Sequence, residues 1–496
     1  MVFAVLRFDD MKKNIYDVLI VGSGVAGTYG ALQFSEDVDI LMLSKYDRTT
    51  CNSNLAQGGV AAVLDFEDDS FDLHYNDTMI AGRNANDPEA VTTLVHEGPD
   101  DVRKILEWGV EFDLDEHGNL NKTLEGGHCR RRIVHHKDTT GAEMIRVLQK
   151  KCIEQPNIEL AENSVLVSLS SVRSGFKAEL LVDGRPECVF CSYCILATGG
   201  IGRIYKYTTN PKSATGDGIR IAYECGAKIK NLSYVQFHPT AFNSDDGEQF
   251  LISESVRGEG AYLLNCNKER FMDRYDNRLE LAPRDVVSKS IMLESRRTGS
   301  NNFYLDITYK PSDFLLNRFP GIAEGCRRYN VDITKDLIPV FPCQHYLMGG
   351  IEVDADSKTN VPRLYACGEC SNTGVHGKNR LASNSLLEAL VFSRHAAEDI
   401  KRCMQSGNYP SVTEKPYTLD YSGAPLPGGI KEDIRSIMQR SYFVLPDEGK
   451  IRTGRQQIEA ILMRLKGGKY AKTTEYCEAL SMATCAYIIL SEVDIA

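Results

Sequence analysis

The chain predicts a nucleotide-binding α/β fold that is interrupted by an inserted mixed α+β domain, resumes, and ends in a helical bundle. Three observations predict it. Residues 17–30, DVLIVGSGVAGTYG, join an apolar β-branched run to a glycine-rich turn and a helix. At Leu364 the pattern returns as LYACGECSNTGVHGKNRLASNSLLEALVF, a strand, the turn Gly368-Glu369 and a long helix from about Ser383. Between them, from Leu232 to about Tyr346, charged loops and short helices replace it.

Composition sets the bounds. At 496 residues the chain exceeds what one core usually supports, so two or three domains are expected. With 42% apolar and 25% charged residues it reads as a soluble globular protein, and a net charge of -11 argues against a nucleic-acid partner. The densest basic spot, Arg130 to Arg132, suits a small anionic substrate better than a polyanion. No apolar run approaches the ~20 residues that span a bilayer and the amino terminus lacks a signal-peptide core, so no membrane contact and a cytoplasmic location are expected.

Taken in order, residues 1–10 read as an extension ahead of Met11 that contributes little to the core. In the first turn the glycines have separate tasks. Gly22 permits a tight turn, Gly24 lets the main chain approach a pyrophosphate, and Gly27 lets helix and strand pack closely. A bound dinucleotide follows, resting on helix N-terminal amides, but not which dinucleotide. The next strand, 38–43, ends in Ser44 and Lys45 rather than the acidic residue that usually holds an adenosine ribose. Either the ribose is held differently or the cofactor is not NAD.

Residues 49–63 form a polar loop closing on Gly58 and Gly59, a pair that suits backbone laid against a flat ligand or a plain loop. Residues 88–108 carry helical spacing at Val91, Leu94, Val95, Val102, Ile105 and Leu106. Residues 124–136, LEGGHCRRRIVHH, hold too many titratable groups for a simple connector. Residues 158–182 read as a strand meander, and 191–200, CSYCILATGG, as a strand ending in a glycine pair that admits close ligand approach. A turn at Gly216-Asp217-Gly218 then opens a helix carrying Ile219, Ile221 and Ala222. Beyond Gly407 a Pro- and Gly-rich connector runs to Gly429, and amphipathic helices follow over 434–465 and 476–489 as a small packing bundle.

The 15 cysteines read as free thiols in a reducing compartment. Cys188, Cys191 and Cys194 have the spacing of an iron–sulfur ligand run, with Cys367 and Cys370 available to add to it. A strand over 188–197 would turn every third residue to alternate faces, so the three thiolates could not converge and no metal is expected.

The motifs AQGG, LATGG, QFHPT, RGEGA, APRD and HGKNRLASNSLLEAL occur in this order, and with them the chain resembles, over nearly its whole length, the succinate dehydrogenase and fumarate reductase flavoprotein family. The resemblance implies a Rossmann-like FAD-binding domain over 1–231 and 347–415, a capping domain over 232–346 and a C-terminal helical domain over 416–496. Members in membrane complexes attach FAD to a histidine five residues before the AQGG glutamine; here that residue is Asn52, which implies noncovalent FAD. Members oxidising plain dicarboxylates carry an apolar residue before the Gly126-Gly127 pair, whereas members oxidising aspartate carry glutamate. Glu125 fills that place, and a carboxylate there can hold an α-amino group. The segment Leu381-Ala382-Ser383-Asn384-Ser385 also matches the aspartate-oxidising members.

By the same resemblance His345 and Arg380 bind the α-carboxylate, His238 and Ser253 the side-chain carboxylate, with Ser253 where threonine is usual. Arg284 of APRD resembles the catalytic acid or base, with Glu254 and Arg257 as a proton relay. A guanidinium titrates near about 12.5 or above, so Arg284 would mainly orient the substrate and balance charge, and would act as an acid in the reverse reduction of fumarate. FAD contacts fall on Gly22, Ser23, Gly24, Val25, Ala26, Gly27, Lys45, Asn52, Ser53, Asn54, Leu55, Ala56, Gln57, Gly58, Gly59, Asp217, Glu369, Ser385 and Leu386.

The implied reaction is hydride transfer from L-aspartate to FAD, giving iminoaspartate, with oxygen or fumarate as acceptor and quinolinate synthase as the partner in NAD biosynthesis. The implied assembly is a monomer or homodimer. A soluble fumarate reductase that ignores aspartate and a flavin-binding scaffold without chemistry are the rivals. The second arises because family members commonly continue beyond the position of Ala496 with an ESRG-type segment, so reduced stability or altered association is expected of this chain.

Overall fold

A computed structural model describes residues 13–244, 249–406 and 419–495. Residues 1–10 and most of the start of the connector beyond Gly407 lie outside the described residues. The organising strand, Ile15–Val21, runs parallel to Ile40–Leu43 on one side and to Arg185–Leu196 on the other. Its side chains divide by period two. Leu19 and Val21 join Leu41 and Leu43 in one core layer, while Val18 and Ile20 join Ile40 and Met42 in the other. A strand covered on both faces must be apolar throughout, as this one nearly is.

Residues 158–182 are not a single meander. Ile158–Ala161 extends the parallel edge beside Ile40–Leu43, whereas Ser164–Val172 and Gly175–Val182 form an antiparallel ribbon on the early half of Arg185–Leu196. The chain changes partner at Asn163, whose φ of 50° turns it sharply. The returning strand, Leu364–Ala366, pairs in parallel with the late half of Arg185–Leu196. The fold does resume where the pattern recurs.

Helices Val25–Ala31, Pro88–Glu107, Thr140–Glu154 and Asn384–Gln405 cover one face of this sheet. The other face is covered by Asp217–Glu224 and by Ile430–Ser441, Glu448–Gly467 and Thr474–Ile495. The stretch 434–465 is thus two helices, the first ending at Ser441 and the second starting where the Asp447 side chain accepts from the Lys450 amide. These last three helices pack on one another as a bundle, and its core is continuous with that of the sheet. Ile434, Ile458, Met482 and Ile489 belong to the same apolar cluster as Leu19, Leu43 and Ile219.

Residues 235–347 build a separate antiparallel sheet in the order Val235–Phe242, Ile338–Leu347, Phe303–Asp306, Tyr262–Leu264. Its core, with Phe242, Phe271, Phe303 and Phe319, is distinct from the two layers of the main sheet. Helix Arg284–Thr298 lies along its first strand, where the Ser288 hydroxyl donates to the Phe237 carbonyl at 2.8 Å. That contact brings the start of the helix over the carboxyl end of the main sheet.

Candidate functional site

The three glycines of the first turn meet three different surroundings. Gly22 has φ +124°, and a Cβ on it would lie 2.1 Å from the Ala197 carbonyl oxygen. A Cβ on Gly27 would lie 1.9 Å from the Gly22 oxygen, so this residue packs helix onto strand. Gly24 is the open one, with only the Ser53 side chain near its missing Cβ, the hydroxyl 3.1 Å away. Above it begins a cavity of about 390 Å³ that follows the carboxyl ends of the strands.

Most of the expected cofactor residues line this cavity: Gly22 to Ala26, Lys45, Asn52, Ser53, Leu55 to Gly59, Asp217, Glu369, Ser385 and Leu386. At one end Ser23 donates to Ser44 at 2.9 Å, and the Lys45 ammonium meets Thr215 at 2.7 Å and Asp217 at 2.8 Å. In the middle the Asn52 amide donates to Glu369 at 2.9 Å, and the Leu347 amide donates to its other oxygen at 3.1 Å. Burial nevertheless pushes the Glu369 carboxyl up to about 7. Two expected contacts do not reach the cavity wall. Gly27 lies beneath the turn, and Asn54 sits in the single tight turn Ser53–Leu55, whose side chains fan out so that its neighbours face inward instead.

At the opposite end the wall becomes charged. Glu125 is buried, accepting from Ser383 at 2.6 Å and from Ser255 at 3.3 Å. Burial raises its carboxyl above the ordinary range, against those hydrogen bonds. Arg284 donates through Nε to Glu254 at 2.6 Å and through Nη1 to Gln236 at 2.9 Å. The other Glu254 oxygen lies 3.1 Å from Nη2 of Arg257, so Arg284, Glu254 and Arg257 form a continuous chain. Burial opposes ionisation of Glu254, but Arg284 and Arg257 outweigh it and hold the carboxyl low. Ser253, also on the wall, caps the short helix Glu254–Gly258 by accepting from the Ser255 amide.

Arg380 donates to Ser385 at 3.0 Å, its Nη2 faces Nε2 of His345 at 3.4 Å, and its guanidinium stacks 4.4 Å from the centre of the Tyr346 ring. Burial and then Arg284 lower it to about 10. Its Nε–H is buried with no acceptor. His345 also meets Thr209 through Nδ1 at 2.9 Å. His238 is not on the wall but packs behind His345, ring centroids 5.0 Å apart. Its Nδ1 accepts from the Thr240 amide at 3.2 Å, which leaves the hydrogen on Nε2, and Nε2 has no partner. Burial, then Arg284, drives its basicity far down, so the ring is neutral. Two buried donors without acceptors beside three arginines describe a site made for carboxylates.

Sequence reasoning placed Arg130 to Arg132 near an anionic substrate, and the structure does not. Arg132 is fully buried in a fork to Asp69 and Asp77, while Arg130 is exposed and donates to the carbonyls of Asp68 and Cys129. Asp69 and Asp77 lie 63 and 55 residues before Arg132, so only the fold brings them to it. Cys191 and Cys194 share one core layer, contrary to the strict alternation expected of them, while Cys188 belongs to another cluster, and among the described residues no group of side chains could hold a metal ion. Gln236 and Tyr346 were missed. Gln236 stood inside QFHPT with nothing to mark its amide, and Tyr346 looked like one more aromatic core residue beside His345.

Comparisons with known proteins give the family. The FAD binding domain family matches residues 17–386. An L-aspartate oxidase of Clostridium perfringens is 48% identical over 391 residues, covering 78% of this chain and 87% of that protein. One from Acinetobacter baylyi is 43% identical over 411 residues, covering 80% and 75%. A chain of E. coli quinol fumarate reductase superposes with a TM-score of 0.88 at 27% identity, over 97% of this chain and 89% of that one. The chain belongs to the FAD-dependent L-aspartate oxidases, within the flavoprotein family of succinate dehydrogenase and fumarate reductase.

Proposed function

We propose that this protein oxidises L-aspartate to iminoaspartate, using noncovalent FAD and passing electrons to oxygen or fumarate. The observation that carries it is Glu125, a carboxylate on the wall of the cavity that also presents Arg284, Arg380 and His345. The cavity fits FAD: Gly24 leaves room for a pyrophosphate, and Asn52, engaged with Glu369, has no ring nitrogen to bond covalently, while the missing Cβ of Gly59 faces Ile133 and Val134 instead and serves packing. Lys45 and Asp217 are assigned to the adenosine end, beyond the second strand. When bound, FAD supplies the hydride acceptor and the route for electrons to the final oxidant.

The protein's own residues do the rest. Arg380 and His345 take the α-carboxylate and Ser253 the side-chain carboxylate, while His238, off the wall, backs the His345 ring. Glu125 faces the ammonium group, and a carboxylate with raised proton affinity can accept a proton from it, freeing the nitrogen lone pair as the α-carbon loses hydride. Arg284, locked between Glu254 and Gln236, orients the substrate and balances the two carboxylates. Iminoaspartate hydrolyses unless consumed, so a quinolinate synthase is the proposed partner and NAD biosynthesis the proposed setting, in the cytoplasm. No helix among the described residues is long and apolar enough to cross a membrane. The separate core of residues 235–347 supports treating 232–346 as a capping unit, with 1–231 and 347–415 as the FAD-binding part and 416–496 as the C-terminal helices.

Adding L-aspartate to the yellow protein without oxygen should bleach it, and fumarate should restore the colour. Glu125→Gln should lower kcat/KM for aspartate by about a hundredfold while FAD content stays constant. Unchanged turnover by that variant would remove the reading of Glu125, and failure to bleach with any dicarboxylate would leave only a scaffold.

A further inference from the structure

The FAD binding domain match ends at residue 386, yet Lys45 on the cavity wall is also held from much later in the chain. Glu478 is buried on the helix Thr474–Ile495, and its Oε1 lies 3.1 Å from the Lys45 ammonium. Tyr46 donates to the same oxygen at 2.7 Å, and Lys431 donates to Oε2 at 3.0 Å. The Lys45 ammonium therefore has three acceptors, Thr215, Asp217 and Glu478, for its three hydrogens. Its direction is fixed, which a flexible four-carbon stem does not achieve alone.

The arrangement answers a chemical problem posed by the sequence. An acidic residue after the second strand ordinarily accepts from the ribose hydroxyls, and here that place holds a cation, which can accept nothing. Asp217, beside Lys45 on the cavity wall, is an acceptor. It already takes Lys45 on Oδ2 and Thr215 on Oδ1 at 2.9 Å. Without Glu478, the lysine charge would settle on Asp217 alone and compete with ribose for its lone pairs. With Glu478 and Lys431 counted, two cations face two carboxylates, and Lys45 is shared between Asp217 and Glu478.

We propose that Glu478 is a positioning residue for the adenosine half of the cofactor, holding Lys45 so that Asp217 keeps acceptor capacity for ribose hydroxyls. The C-terminal helices are then part of the dinucleotide site as well as a cover for the sheet. The inference rests on the assignment of Lys45 and Asp217 to the adenosine end.

The test is titration of full-length apoprotein with FAD and, separately, with ADP, which carries the adenosine end without a flavin. Glu478→Gln should weaken both by about tenfold, and the milder Tyr46→Phe, which only loosens Glu478, by about threefold. The flavin reduction potential of the reloaded Glu478→Gln protein should not move. In a Lys45→Met background the Glu478→Gln change should have no further effect on ADP affinity, whereas a merely structural role would lower the apoprotein Tm and leave the Lys45 background irrelevant. Wild-type ADP affinity in both Glu478→Gln and Tyr46→Phe, with Lys45→Met weakened, overturns the proposal alone. Wild-type ADP affinity in Lys45→Met overturns the underlying assignment as well.

Discussion

Glu369 shows what one side chain can impose on the empty protein. Two donors hold it, yet burial puts its carboxyl near pH 7 against about 4.5 for an ordinary glutamate. A group raised on folding contributes stability that is complete below about pH 4.5 and is lost as pH rises through about 7. The apoprotein should therefore lose about 2 kcal/mol between pH 5 and pH 8, after allowance for the exposure of Glu369 to the cavity, and Glu369→Gln should flatten that slope in urea titrations across the same range. A slope that survives the substitution would assign the loss to another group. At this scale the sequence was legible wherever a residue carries its chemistry in its type and motif, as Arg284 and Glu254 do. Gln236 was not legible, because its role comes from tertiary placement: its carbonyl accepts from Arg284 while its amide donates to the backbone of Arg380, 144 residues away. Nothing local announces such a bridge.

The strand-turn-helix at residues 15–31 separates structure from binding within six residues. Alanine at Gly27 would drive a methyl into the Gly22 carbonyl, backbone against backbone, whereas alanine at Gly24 meets only the side chain of Ser53. Gly27→Ala should destabilise the apoprotein by more than about 2 kcal/mol with no cofactor present. Gly24→Ala should leave the apoprotein Tm almost unchanged and weaken FAD at least about tenfold, because its methyl enters the space the pyrophosphate needs. Equal thermal losses in the two variants would contradict the division of labour. This element could be read from sequence because period, glycine spacing and a following helix all agree. Ile158–Ala161 could not be, since a short apolar run states that it is a strand but not which strand it joins, and it joined the parallel edge rather than its neighbour in sequence.

The whole molecule places the proposed substrate site where two sheets meet. Arg284, Glu254 and Gln236 come from the inserted sheet and its helices, Arg380 and Glu125 from the FAD-binding part, and Gln236 joins the two through the Arg380 carbonyl. The interruption and return of the nucleotide pattern were visible in the chain, because composition shifts and then repeats. That the last helices share the core of the main sheet was not visible, because an amphipathic face does not say what will cover it. A dicarboxylate held by Arg380 on one side and by Ser253 on the other should tie the two parts together. With malonate at about ten times its Kd, amide hydrogen exchange across 235–242 and 254–258 should slow about tenfold in the FAD-loaded protein. Arg380→Lys keeps the charge but loses the fork, so it should abolish that protection and retain FAD. If the lysine variant were protected as fully as the parent, the anion would be binding within one part only, and closure of the site would have to come from the cofactor instead.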